Sequence, residues 1–211
     1  MPSIYQLKPA FQNLLRPFVQ WLYAKKITAN QVTLLAMFIS VVLAVALYCL
    51  HLYQQPLILF LLFPVWMLVR MGFNAIDGML AREFNQQSKL GAYLNEICDV
   101  VSDSALYLCF LGLAFINSYL LGLVVFLAVL SEYAGVMAPL IGQERRYDGP
   151  MGKSDRAFWF SLIAVLVSFS PYLVENNYTN SITYICNGLL IFIAALLVLT
   201  TYNRIKNSIQ L

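Results

Sequence analysis

The sequence predicts an all-α membrane protein, with six transmembrane helices preceded by an N-terminal amphipathic interfacial helix and both termini cytoplasmic. Three observations predict it. Of 211 residues, 61% are hydrophobic and 11% charged, less than half the roughly 25% that normally covers a soluble domain. The apolar residues gather into runs long enough to cross about 30 Å of hydrocarbon, separated by short polar turns. All 13 Lys and Arg fall in segments that this arrangement places on or near one membrane face. The organisation is a juxtamembrane helix over residues 1–26 and a six-helix transmembrane domain over 27–211. Cys49, Cys98, Cys109 and Cys186 lie inside apolar segments without metal-ligand spacing, so they read as small buried side chains.

Residues 4–22 place Ile4, Leu7, Phe11, Leu14, Leu15, Phe18, Trp21 and Leu22 at the three- and four-residue steps of an amphipathic helix. It is too polar to span and suits the headgroup level. Pro17 should kink or divide it. Thr28 or Asn30 caps a first span from about Val32 to Leu52. The second begins near Pro56 and continues through Phe84, reaching roughly 42 Å at 1.5 Å per residue, more than the hydrocarbon needs. Its end therefore projects as a polar extension. After a turn at 85–89, a third span runs from about Leu90 to Ile116, polar only in its first half. A fourth covers about Leu120 to Ile141, and residues 142–155 form the sizeable polar loop. The last two spans cover about Arg156 to Val174 and Ile182 to Tyr202. The opposite turns, 53–55, 117–119 and 175–181, carry no Lys or Arg, which puts both termini in the cytoplasm.

Ionised groups inside spans are costly and mark function or pairing. Asn74, Asp77 and Arg82 lie in the second span, and Asn95, Glu96, Asp99 and Asp103 in the third. The short turn makes these helices antiparallel neighbours. Asn74 and Asp77 share a face, and Glu96, Asp99 and Asp103 occupy about a 60° arc of an ideal helix. Up to four carboxylates would repel one another unless a divalent cation intervened, and oxygen ligands suit Mg²⁺ or Mn²⁺. From charge alone, a catalytic metal site, an ion path and a structural polar network all remain open. Small Gly78, Ala81 and Gly91, with Arg82 beside them, favour a bound phosphate or diphosphate. The absence of an internal repeat and the concentration of polarity near one face count against a transporter.

These residues read Asn74-x2-Asp77-Gly78-x2-Ala81-Arg82-x8-Gly91-x3-Asn95-x3-Asp99. The pattern resembles the signature of the CDP-alcohol phosphotransferases, D-x2-D-G-x2-A-R-x8-G-x3-D-x3-D, with every gap intact. Asn74 and Asn95 stand at the first and third aspartate positions. The Ile27-Thr28-Ala29-Asn30 segment is also similar to that family. The resemblance implies transfer of a phosphatidyl group from CDP-diacylglycerol, or a similar CDP-linked lipid, to a small alcohol with release of CMP. It implies Mg²⁺ or Mn²⁺ as cofactor, a homodimer, and a multi-pass protein of the bacterial inner membrane with its site facing the cytoplasm. Membrane lipids are expected partners and nucleic acid is not.

Carried over, Asp77 is a metal ligand, Asp99 a ligand and the catalytic base, and Gly78, Ala81, Arg82 and Gly91 accommodate the nucleotide. Asn74 and Asn95 offer one carbonyl oxygen each and no charge, so either Glu96 and Asp103 complete a shifted ligand set, or one metal binds strongly and a second only with substrate. The basic loop is expected either to bind a phosphorylated or other small alcohol acceptor through Lys153, Arg156, Arg145 and Arg146, or to serve positive-inside topology and contact with anionic headgroups. Glu132 either touches that acceptor pocket or pairs with Arg70 or Arg156. The other reading is a relative that binds CDP-lipid or scaffolds without turnover.

Overall fold

The computed structural model describes residues 4–54, 56–175 and 179–209, with the side chains of residues 4–10 outside that description. The polar turns expected at 53–55 and 175–181 are therefore described only in part. Among the described residues eight helices follow one another: α1 (Ile4–Ala24), α2 (Ala29–Leu52), α3 (Leu62–Glu83), α4 (Lys89–Leu108), α5 (Ser118–Met137), α6 (Lys153–Ser168), α7 (Ser170–Glu175) and α8 (Thr179–Ile209). A 3₁₀ segment, Leu57–Leu61, leads into α3, and another, Ala138–Ile141, extends α5. No strand occurs among the described residues.

Among the described residues four segments are long and apolar enough to cross a membrane by length and composition: Ala29–Leu52, Leu57–Glu83, Ser118–Ile141 and Thr179–Ile209. The two other expected spans fall outside that set. The third stops at Leu108 rather than continuing to Ile116. Beyond it the backbone turns through i→i−3 bonds from Cys109, Phe110 and Leu111. Gly112 then adopts φ +87°, a left-handed conformation that glycine takes freely. The Gly112 carbonyl, freed from the helix ladder, lies 2.9 Å from His51 Nε2. The fifth breaks at Phe169 into α6 and α7. Pro171 has no N–H for the Val167 carbonyl, and Ser170 Oγ donates to that carbonyl instead.

The chain forms two compact units, Met1–Val41 with Trp66–Ser102, and Val42–Val65 with Asp103–Leu211. In the first, α1 continues undivided through Pro17. Pro17 and Asn13 are exposed, so the carbonyl that loses its partner meets solvent or headgroups rather than a core. Val19 and Leu22 of α1 pack with Ala29, Val32, Ile76, Met79 and Leu80. Leu14, Phe18 and Trp21 stay exposed, as a lipid-facing surface requires. Helix α1 ends with Lys26 at φ +59°, the Ile27 N–H bonding Leu22 O and the Lys26 N–H bonding Tyr23 O. That pairing closes the orphan carbonyls of a helix end. Thr28 then opens α2 by a reciprocal cap: Gln31 N–H donates to Thr28 Oγ1 and Thr28 N–H to Gln31 Oε1. At the end of α3, Asn85 (φ +54°) repeats the left-handed cap, and Gln86 Oε1 accepts from Ala29 N–H at 2.8 Å.

In the second unit, α5 and α8 pack along facing stripes. Leu121, Val124, Ala128, Ser131, Glu132 and Gly135 line one. The other runs from Ile182 through Cys186, Leu190, Ile193, Leu197 and Thr200 to Arg204. Both stripes keep helical period and become polar only towards one end. Phe60, Phe63 and Phe160 surround Phe110 with ring centroids 5.2–6.0 Å apart. Tyr107 stacks on Phe160 at 3.9 Å. The polar loop after α5 is pinned down: Arg146 N–H bonds Gly135 O, and Met151 N–H bonds Thr200 Oγ1 at 2.9 Å.

Candidate active site

The first unit gathers the signature residues of α3 and α4. Asp77 and Asp99 are buried, at 7% and 8% exposure, and close enough for each charge to act on the other. Asp77 Oδ2 accepts a 2.7 Å hydrogen bond from Thr33 Oγ1 of α2. Arg70 Nη2 donates to Asp99 Oδ1 at 3.0 Å and to Asp99 O at 3.3 Å. Arg70 lies seven residues before Asp77, two turns along one face of α3. Arg82 is exposed and folds back over Gly78, where a Cβ would stand 2.8 Å from Arg82 Nη2. Gly91 opens α4 with its N–H on Ser88 Oγ, and a Cβ there would lie 2.8 Å from Asn30 Oδ1. Asn30 and Gly91 thus bring the starts of α2 and α4 together.

Asn74 is exposed, and Asn95 and Glu96 are half-buried. Among the described residues no three His, Cys, Asp or Glu side chains converge on a common cation position. Asparagine occupies two of the expected positions, and Arg70 bonds Asp99. The chemistry of the remaining donors still fits one hard divalent cation. Asp77 and Asp99 together carry one more negative charge than Arg70 offsets, and asparagine carbonyls are hard oxygen donors. Asp77 and Asp99 would hold the ion, with Asn74 and Asn95 as neutral ligands.

The second unit holds a buried ionic cluster. Glu132 Oε1 accepts from Arg156 Nη2 at 2.9 Å and Oε2 from Arg145 Nη2 at 3.1 Å. Arg204 Nη1 lies 3.5 Å from Glu132 Oε1. Arg156 Nη2 also reaches Asp103 Oδ2 at 3.1 Å, so Asp103 is engaged by an arginine. Arg156 and Arg204 are 1% and 2% exposed. Arg146 donates to the Asn207 carbonyl and stands 4.0 Å from Asp148. Lys153 opens α6 and adds its charge towards Glu132. Of the partners expected for Glu132, Arg156 is the one found, while Arg70 bonds Asp99.

Sequence reasoning did not single out Thr33, the pairing of Arg70 with Asp99, or Arg204. Thr33 follows Ala29 by one turn in an otherwise apolar run, and its hydroxyl was the available signal. Arg70 and Arg204 were visible as charges, but their partners lie 29 and 72 positions away along the chain.

The sequence profile of the CDP-alcohol phosphatidyltransferase family matches residues 26–203. The chain is 46% identical over 206 residues to inner membrane protein YnbA of Escherichia coli (strain K12), covering 97% of this chain and 96% of that protein. It is 35% identical over 100 residues to an uncharacterized protein of Aquifex aeolicus (strain VF5), covering 47% of this chain and 46% of the relative. Its fold is similar to that of Mycobacterium tuberculosis phosphatidylinositol phosphate synthase. With the crystal structure in complex with manganese and citrate the TM-score is 0.70 at 20% identity, covering 91% of this chain and 87% of that one. With the structure that has CDP-DAG bound it is 0.69 at 19% identity, covering 91% and 92%. The structural likeness establishes the fold, and the profile spans all the signature residues described above. The chain belongs to the CDP-alcohol phosphatidyltransferase family.

Proposed function

We propose that the chain transfers a phosphatidyl group from CDP-diacylglycerol to a small alcohol and releases CMP. One observation supports this reading: Asp77 and Asp99 are buried within electrostatic reach of each other, and Arg82 lies over a bare Gly78 backbone. A diphosphate held there meets a guanidinium at an unobstructed helix surface. Asp77, kept in place by Thr33, and Asp99, by Arg70, hold Mg²⁺ or Mn²⁺ with Asn74 and Asn95, and Glu96 supplies further negative charge. The bound ion would polarise the phosphoryl oxygens and neutralise the leaving CMP. Asp99 takes the proton of the acceptor hydroxyl. The alcohol oxygen bonds the lipid-proximal phosphorus, and the bond from that phosphorus to the bridging oxygen breaks, so that CMP leaves with that oxygen. Arg156, Lys153, Arg145 and Arg146 select the acceptor.

In this reading α4 and the α6–α7 pair complete six spans, both termini face the cytoplasm, and the protein works as a homodimer in a bacterial inner membrane. The positive-inside distribution of Lys and Arg supports that topology. The test is CMP release by purified protein with CDP-diacylglycerol, Mg²⁺ and a panel of alcohols. Turnover that disappears in Asp77→Ala and in Asp99→Ala is the expected result. An inert parent protein with every acceptor would refute the reading.

A further inference from the structure

Three arginines of the second unit share one carboxylate. Arg145 and Arg156 bond opposite oxygens of Glu132 at 3.1 and 2.9 Å, and Arg204 lies 3.5 Å away. Glu132 is 4% exposed. We propose that Glu132 is a resident carboxylate filling this arginine nest, so that the acceptor alcohol carries no phosphate or other anionic group. The proposal rests on the reading above, in which these basic residues select the acceptor.

The argument is one of capacity. A phosphate is held tightly when two or more guanidinium edges face it and each gives parallel N–H donors. Here Nη1 and Nη2 of both Arg145 and Arg156 already have acceptors, and Arg156 Nε is the remaining, buried donor of that guanidinium. Arg156 divides its Nη2 between Glu132 and Asp103. Arg204 Nη1 turns to Glu132 and to the Ser131 carbonyl, and its Nε to the Asp148 carbonyl. Arg145, the most exposed of the three at 17% of its side chain, also bonds the Tyr147 hydroxyl at 3.1 Å and sits 4.5 Å over its ring. For a phosphate to enter, it would have to displace Glu132 and leave a buried carboxylate without partners, which is the costly way to break a buried pair. A neutral hydroxyl makes no such demand. Glu132 therefore acts as a specificity determinant, rejecting anionic acceptors by charge and by occupancy.

The experiment offers paired acceptors to the purified full-length protein with CDP-diacylglycerol and Mg²⁺: glycerol beside glycerol phosphate, and inositol beside inositol phosphate. CMP release at least about tenfold faster with the free alcohol is expected; faster release with the ester overturns the proposal. A second measurement needs no turnover. Inorganic phosphate is titrated into metal-free parent protein and Glu132→Gln, followed by ³¹P line broadening. Binding at least about tenfold tighter in Glu132→Gln supports a filled nest, and equal or tighter binding by the parent overturns it. Should Glu132→Gln fail to fold, Arg145→Gln replaces it: unchanged weak phosphate binding supports the proposal, and loss of a strong parent site overturns it. Absence of CMP release with every acceptor would sink the transferase reading, while the phosphate titration would still decide what occupies the nest.

Discussion

Replacing Gly78 with alanine separates stability from activity at the site. In the interior of α3, alanine is favoured over glycine by about 1 kcal/mol. The added Cβ would stand 2.8 Å from Arg82 Nη2, 3.4 Å from its Cζ and 3.5 Å from its Nη1. Every one of those atoms belongs to the end of an exposed side chain, which can leave at a rotamer cost of about 0.5–1.5 kcal/mol. The net change in stability is therefore close to zero, and the thermal midpoint in detergent should move by no more than about 3 °C. Activity should respond differently. Displacing Arg82 from the bare helix surface forfeits a charge-assisted contact to the diphosphate of about 1.5–3 kcal/mol, or about 10- to 150-fold in turnover. CMP release and thermal unfolding are measured on the same preparation, with Arg82→Ala and the double variant alongside. The double variant should lose no more than Arg82→Ala alone, because both substitutions remove one interaction. A midpoint lowered by more than about 5 °C would show that Gly78 serves packing, and unchanged turnover would refute the role of Arg82.

Four further outcomes follow from the geometry. Thr33→Val removes the hydroxyl that fixes Asp77 at 2.7 Å and should weaken Mn²⁺ binding by about 10- to 100-fold, read by electron paramagnetic resonance; unaltered affinity would make the contact incidental. Asn95→Asp adds a carboxylate and should tighten Mn²⁺ at least about tenfold, whereas weaker binding would exclude Asn95 from the ligand set. Gly149→Ala meets Thr200 Cα at 2.7 Å with φ at +110°, backbone that cannot move aside, and should cost about 2–4 kcal/mol of stability; a midpoint within 2 °C of the parent would count against that loop packing. Chelation with EDTA should abolish CMP release and either Mg²⁺ or Mn²⁺ should restore it, and metal-independent turnover would contradict the proposed chemistry.

The sequence by itself determined the helical class, a start of α2 capped by Thr28 or Asn30, and the turn between α3 and α4. Each depends on neighbours a few positions apart: a three-residue cap, a left-handed Asn85, a 3.6-residue period. It also singled out Asp77, Gly78, Arg82, Gly91 and Asp99 as candidates, because they sit at fixed steps along two helices joined by a short turn. Tertiary structure decided the rest. The early stop of α4 depends on Gly112 and a distant His51, and the break before α7 on whether Ser170 can serve the carbonyl that Pro171 abandons. Above all it decided the partners of the charges. Arg70 goes to Asp99 and Arg156 to Asp103 and Glu132. A buried ion takes whichever opposite charge the packed helices bring within about 3 Å, and no local spacing encodes that distance.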